Sequence, residues 1–87
     1  MDSSFPFPTI HLNGTGKKVL LSQHSTALHY LVMAINAFEE TTCHPRDYYV
    51  HEDPNAWDKA AAKRAEIGKG LAEAMRYLET ICYHLKQ

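Results

Sequence analysis

Residues 17–42, KKVLLSQHSTALHYLVMAINAFEETT, contain neither proline nor glycine, so nothing in them breaks a helix. Leu20, His24, Ala27, Leu31, Ala34 and Phe38 recur at 4-3-4-3-4 spacing, which sets them in one seam along a helix. Leu21, Leu28 and Ile35 flank that seam and widen it. Val19, Tyr30, Met33 and Ala37 lie off it, so the helix is apolar on more than one side. A single partner helix covers only one of those sides. Thr15 is the expected N-cap. Gly16, Lys17 and Lys18 blur that boundary by a few residues, because cations sit poorly at the positive end of a helix.

A second helix is expected over about residues 55–85, NAWDKAAAKRAEIGKGLAEAMRYLETICYHL. Trp57, Ala60, Arg64, Ile67, Leu71, Ala74, Leu78, Ile81 and Leu85 keep the same spacing throughout. Ala61, Ala65, Gly68, Ala72 and Met75 form a second row of mostly small residues, which lets another helix approach closely. Between the helices, residues 43–54 read CHPRDYYVHEDP. Pro45 closes the first helix, and Asp53-Pro54 opens the second as a cap followed by proline at the first helical position. A loop of this length is long for a hairpin, and it holds the densest mixture of aromatic, charged and imidazole groups in the chain. Residues 1–14 form an extended arm, because Pro6 and Pro8 exclude a helix and Asn13-Gly14 supplies a turn.

The expected fold is therefore all-α: an antiparallel two-helix hairpin over residues 15–87 with an extended N-terminal arm. Each helix spans roughly 40 Å at the usual rise of about 1.5 Å per residue. Paired alone, the two would leave their second apolar faces in water. Assembly into a helical-bundle homo-oligomer, a homodimer or higher, resolves this.

With 87 residues the chain is one domain, close to the lower limit for a self-sufficient core. The net charge is -1 and no Lys/Arg block is present, which argues against a nucleic-acid polymer as partner. The N-terminus has no basic stretch and no long apolar run, so neither a signal peptide nor a membrane span is expected there. Cys43 and Cys82 form no C-x-x-C pair and are expected to be reduced, which places the protein in the cytoplasm.

Catalytic signatures are lacking: there is no G-x-S-x-G, no glycine-rich phosphate loop and no paired-carboxylate constellation. No enzymatic activity and no cofactor are expected. The six histidines give no H-E-x-x-H and no i,i+4 pair on a helix, so no metal site is expected. Cys82 reads as a buried thiol, and Cys43 lies at a helix C-terminus whose dipole disfavours a thiolate. His24 reads as a hydrogen-bonded core histidine.

Arg64 occupies a seam position that calls for an apolar residue. It either pairs with Asp47 or Glu66, snorkels out at the bundle end, or points into an interhelical pocket to meet an anion. Arg46, Tyr48, Tyr49 and Trp57 offer a similar choice. Guanidinium plus aromatic faces suit a ligand with a phosphate and a base, and equally suit a loop anchor over the bundle end. The candidate ligand-binding set is Arg46, Tyr48, Tyr49, Trp57 and Arg64, closed by Asn13 and Thr15 of the arm turn.

Ile10-His11-Leu12-Asn13-Gly14-Thr15, then Arg46-Asp47-Tyr48-Tyr49, then Trp57 resemble a group of small phage and prophage proteins. The resemblance implies a phage-encoded context in a host cytoplasm. Small phage accessory proteins of this kind are often counter-defence factors. On that footing the expected partners are further copies of the chain, with a small nucleotide-like immune signal held as in a sponge. The alternative is a host defence protein, bound as by an anti-CRISPR inhibitor, or a structural scaffold acting through the apolar helical faces.

Overall fold

In a computed structural model, which describes residues 5–87, the chain is two helices joined by one short helical turn. Helix α1 spans Lys17–Glu39, a 3-10 turn spans Pro45–Tyr48, and helix α2 spans Ala56–Lys86. The two long helices pack antiparallel as a hairpin, and the described residues contain no strand. Met1–Ser4, the first part of the expected arm, lie outside the described residues.

On α1 the seam is rotated from the one the spacing predicts, toward the flanking row. On α1 the half-buried residues are Leu20, Leu21, His24, Leu28, Leu31, Ile35 and Phe38, whereas Ala27 and Ala34 are exposed. On α2 the expected seam largely holds: Trp57, Ala60, Arg64, Leu71 and Leu78 are half-buried and Ile81 and Leu85 buried, while Ala74 is exposed and Ile67 keeps 43% of its surface; Gly68, Ala72 and Met75 of the second row are half-buried beside it. The physical reason is area. Turning α1 toward its flanking row covers Leu28 and Ile35 in place of two alanines, and burial stabilises by about 25 cal/mol per Å².

Tight burial is confined to the hairpin's ends. Ile81, Cys82 and Leu85 retain 1%, 5% and 2% of their surface, and Ala56 retains 8%. The first three lie where the start of α1, the end of α2 and the arm converge. Phe5 stacks on Tyr77 at 5.0 Å between ring centroids, and Phe7 on His84 at 4.7 Å. His84 Nε2 donates to the Pro8 carbonyl at 3.2 Å, so the arm lies along the end of its own α2. Across the seam Ser25 Oγ stands 3.7 Å from Cys82 Sγ, and Lys17 Nζ donates to the Gln87 carbonyl at 3.2 Å. The arm ends in a turn with Gly14 N donating to His11 O at 3.1 Å. A Cβ at Gly14 would stand 2.7 Å from His11 Nε2, so a larger residue here would turn the exposed His11 ring aside.

Both helix boundaries facing the loop shift. α1 ends at Glu39, ahead of Thr42, because Thr41 turns back: its N–H and hydroxyl both donate to the Phe38 carbonyl, at 3.0 and 2.6 Å. α2 begins at Ala56, with Asn55 as its N-cap residue. Asp53 instead braces the turn before it, accepting from Asn55 N at 2.8 Å and from the Lys59 ammonium. The Lys59 ammonium, followed by the Asn55 N–H, holds the Asp53 carboxyl below its ordinary value against an opposing effect of desolvation.

The molecule is a rod of 61 × 24 × 21 Å with a radius of gyration of 18.6 Å. A compact chain of this length has a radius near 12 Å.

The rotated seam makes a direct comparison available. Ile81→Ala should cost about 2–4 kcal/mol in a denaturant titration, as for a fully packed site. Ile67→Ala should cost well under half of that, and equal losses would restore the seam predicted from spacing.

Candidate functional site

Two features stand out, one at each kind of surface the hairpin offers. The first is a shallow recess of about 500 Å³ at the loop end, largely open to solvent, lined by Phe38, Glu39, Cys43, Trp57, Ala61, Arg64 and Ala65. The second is the side of α1 that faces away from α2.

Arg64 dominates the recess, and its donors are engaged with the end of α1. Nη2 donates to the Phe38 and Thr41 carbonyls, both at 2.9 Å, and Nη1 donates to Thr41 Oγ1 at 2.7 Å. The guanidinium lies over the Phe38 ring, 4.5 Å from its centroid. The last carbonyls of a helix have no partner within it, and that end carries partial negative charge. A guanidinium there supplies donors and opposite charge together. Arg64 pairs with neither Asp47 nor Glu66; Glu66 lies 3.6 Å from Lys63 instead. Two of the five guanidinium N–H donors remain for anything entering the recess.

Trp57 lines the same recess, and Tyr48 lies beside it with ring centroids 6.1 Å apart. Arg46 and Tyr49 are exposed on the adjoining turn, Tyr49 with 76% of its surface free. These five candidate residues therefore share the loop end. Asn13 and Thr15 do not join them. They precede α1, whose 23 residues separate them from the loop by about 34 Å.

The loop histidines serve local structure. His44 Nδ1 accepts from Arg46 N at 3.2 Å, and His51 Nδ1 accepts from Asp53 N at 3.0 Å. Each ring thereby closes a turn in which an imidazole stands in for a carbonyl. His24 is half-buried in the seam, its Nδ1 donating to the Leu20 carbonyl at 2.7 Å. Among the described residues no three His, Cys, Asp or Glu side chains gather closely enough to hold a metal ion. Cys43 is half-buried at the recess and Cys82 is buried at the far end, both as free thiols.

The outer side of α1 is built differently. Val19, Tyr30 and Met33 keep 51%, 63% and 54% of their surfaces, and Thr26, Gln23 and Ala37 on the same side are exposed. From Val19 to Phe38 the sequence contains no Asp, Glu, Lys or Arg. A solvent-facing helix ordinarily carries charges there, as α2 does with Asp58, Lys59, Lys63, Glu66, Lys69, Glu73 and Arg76, all exposed. That uncharged run, read together with the exposed off-seam row, is the clearest functional signal in the sequence. No helix among the described residues is long and apolar enough to cross a membrane. No protein-family model, curated protein or solved structure matches the chain.

Arg64→Ala should destabilise the hairpin by about 0.5–1.5 kcal/mol, because it removes hydrogen bonds between the helices and the cover over the Phe38 ring. Amide hydrogen exchange at the end of α1 should accelerate more than elsewhere. Arg64→Lys should recover little, since an ammonium cannot span three acceptors while lying flat on a ring. An unchanged melting curve in Arg64→Ala would mean that the cap carries no weight.

Proposed function

We propose that this chain is a non-enzymatic binding module whose working surface is the uncovered side of α1. The observation that carries this reading is Tyr30 and Met33, more than half exposed on a helix that bears no charge between Val19 and Phe38. An uncharged helix with large apolar residues exposed on the side away from its neighbour has a second face suited to packing. Here one neighbour is α2, and the other is supplied by association. In a helical-bundle homo-oligomer that side is a subunit interface. On a free hairpin it is a docking surface for another protein, which in a phage-encoded counter-defence setting is a host defence component.

A charge placed at the centre of the surface tests this. Wild-type protein should either assemble beyond 9.9 kDa or bind an apolar fluorescent probe such as ANS in its native state. Tyr30→Glu, with helical content unchanged by circular dichroism, should lose whichever of the two the wild type displays. A wild-type monomer without probe binding would remove the basis for the reading.

The loop-end recess favours a second reading, the sequestration of a small nucleotide-like signal. Trp57 with Tyr48 beside it offers a stacking wall, and Arg46 is the freer cation for a phosphate because Arg64 is engaged with α1. Cyclic and ADP-ribose-type nucleotides should then raise the melting temperature and quench Trp57 fluorescence, and Arg46→Ala should abolish both effects. The absence of any shift across such a panel would dismiss the recess as a nucleotide site.

A further inference from the structure

We infer that the partner covering α1 is a second copy of the same chain, with the two α1 helices packed antiparallel about a two-fold axis near Leu28. This rests on the reading of that side of α1 as a binding surface and names its occupant.

The first argument is the symmetry of the row. Val19, Gln23, Thr26, Tyr30, Met33 and Ala37 are spaced 4-3-4-3-4, the pattern of one helix face in contact with another. A two-fold axis at Leu28 sets Val19 beside the partner's Ala37, Gln23 beside the partner's Met33, and Thr26 beside the partner's Tyr30. Each large residue thus meets a smaller or more flexible one, and each contact occurs twice, as an isologous interface requires.

The second argument is charge. α1 has no acidic residue in its first turn and no basic residue in its last. It carries Lys17 and Lys18 at the positive end of its own dipole and Glu39 and Glu40 at the negative end, the reverse of what a lone helix favours. Lys17 is already held by the Gln87 carbonyl of α2. Lys18, Glu39 and Glu40 take part in no ion pair among the described residues. An antiparallel second copy brings the lysine end level with the partner's glutamates and its carbonyl terminus, at both ends at once. A parallel arrangement would set lysine against lysine and glutamate against glutamate.

The third argument is area. The chain exposes 6869 Å², against about 5,200 Å² expected of a folded monomer of its mass. The surplus exceeds the roughly 800 Å² per partner that a stable interface buries.

The same register has a consequence for the candidate site. Asn13 and Thr15 of one copy come level with the partner's Cys43 and Thr41, beside the partner's recess. The arm turn and the loop residues, separated by the length of α1 within one chain, would thus meet at each end of the dimer.

Mass measurement by native mass spectrometry and light scattering should find a dimer. Lys18→Glu and Glu40→Lys should each raise its dissociation constant roughly five- to ten-fold, and the double swap should return it near wild type. A short bis-maleimide should join Asn13→Cys of one chain to the partner's Cys43, a link that the length of α1 forbids within one chain. A wild-type monomer that still binds the apolar probe would overturn the second-copy assignment and leave the binding surface standing. A dimer broken by Tyr30→Glu that shows neither charge-swap rescue nor the 13–43 link would overturn the antiparallel register alone.

Discussion

Everything in this hairpin depends on one strip of contact, in which Leu21, Leu28, Leu31 and Ile35 of α1 close on α2. Two helices can cover each other along only one side, and here even that cover is partial. Along the middle of the strip no residue is fully buried, and a Cβ at half-buried Gly68 would meet nothing within 4 Å. The hairpin therefore holds its helices together without enclosing a core. That constraint decides what the ends must do, and what the outer side of α1 is free to do.

The ends compensate through polar and aromatic closure. At the loop end, Arg64 donates to the Phe38 carbonyl of α1 and the Thr41 carbonyl just beyond it and covers the Phe38 ring, so one side chain joins the helices. At the other end the arm lays Phe5 and Phe7 against Tyr77 and His84, beside Ile81 and Leu85. The described part of the arm thus works as a third packing element in a chain with only two long helices. Its prolines suit that role, because an extended segment with fixed backbone angles loses less entropy on docking.

The helices and their antiparallel pairing were legible in the sequence because unbroken 4-3 spacing fixes both period and length. The rotation of the seam was not. Ala27 and Leu28, or Ala34 and Ile35, stand on adjacent rows of comparable spacing, and only the facing side chains decide which row is covered. Arg64 was legible as an anomaly, since a cation in a seam demands an explanation. Its acceptors were not, because backbone carbonyls leave no mark in a residue pattern; the turn at Thr41 that presents them depends on where α1 stops. For the candidate site, spacing could group Arg46, Tyr48, Tyr49 and Trp57, which are near in sequence. That Asn13 and Thr15 stand a helix length from them in the same chain already follows from Thr15 preceding a helix that ends at the loop, so only a second chain could bring the two together.

The distribution of satisfied and unsatisfied groups is what the proposal of a binding surface rests on. His24, His44, His51 and His84 each spend a ring nitrogen on the backbone, Asp53 is held by Lys59 and Asn55, and most of the Arg64 donors serve α1. These groups hold turns and helix ends. What the hairpin leaves uncompensated is apolar area, and Val19, Tyr30 and Met33 align a part of it along a helix without charge between Val19 and Phe38. Water is a poor neighbour for that surface, and a packed side chain is a good one. The free energy the fold has not used in closing its own core is therefore available for association, and charged α2 keeps the opposite side of the rod in solvent.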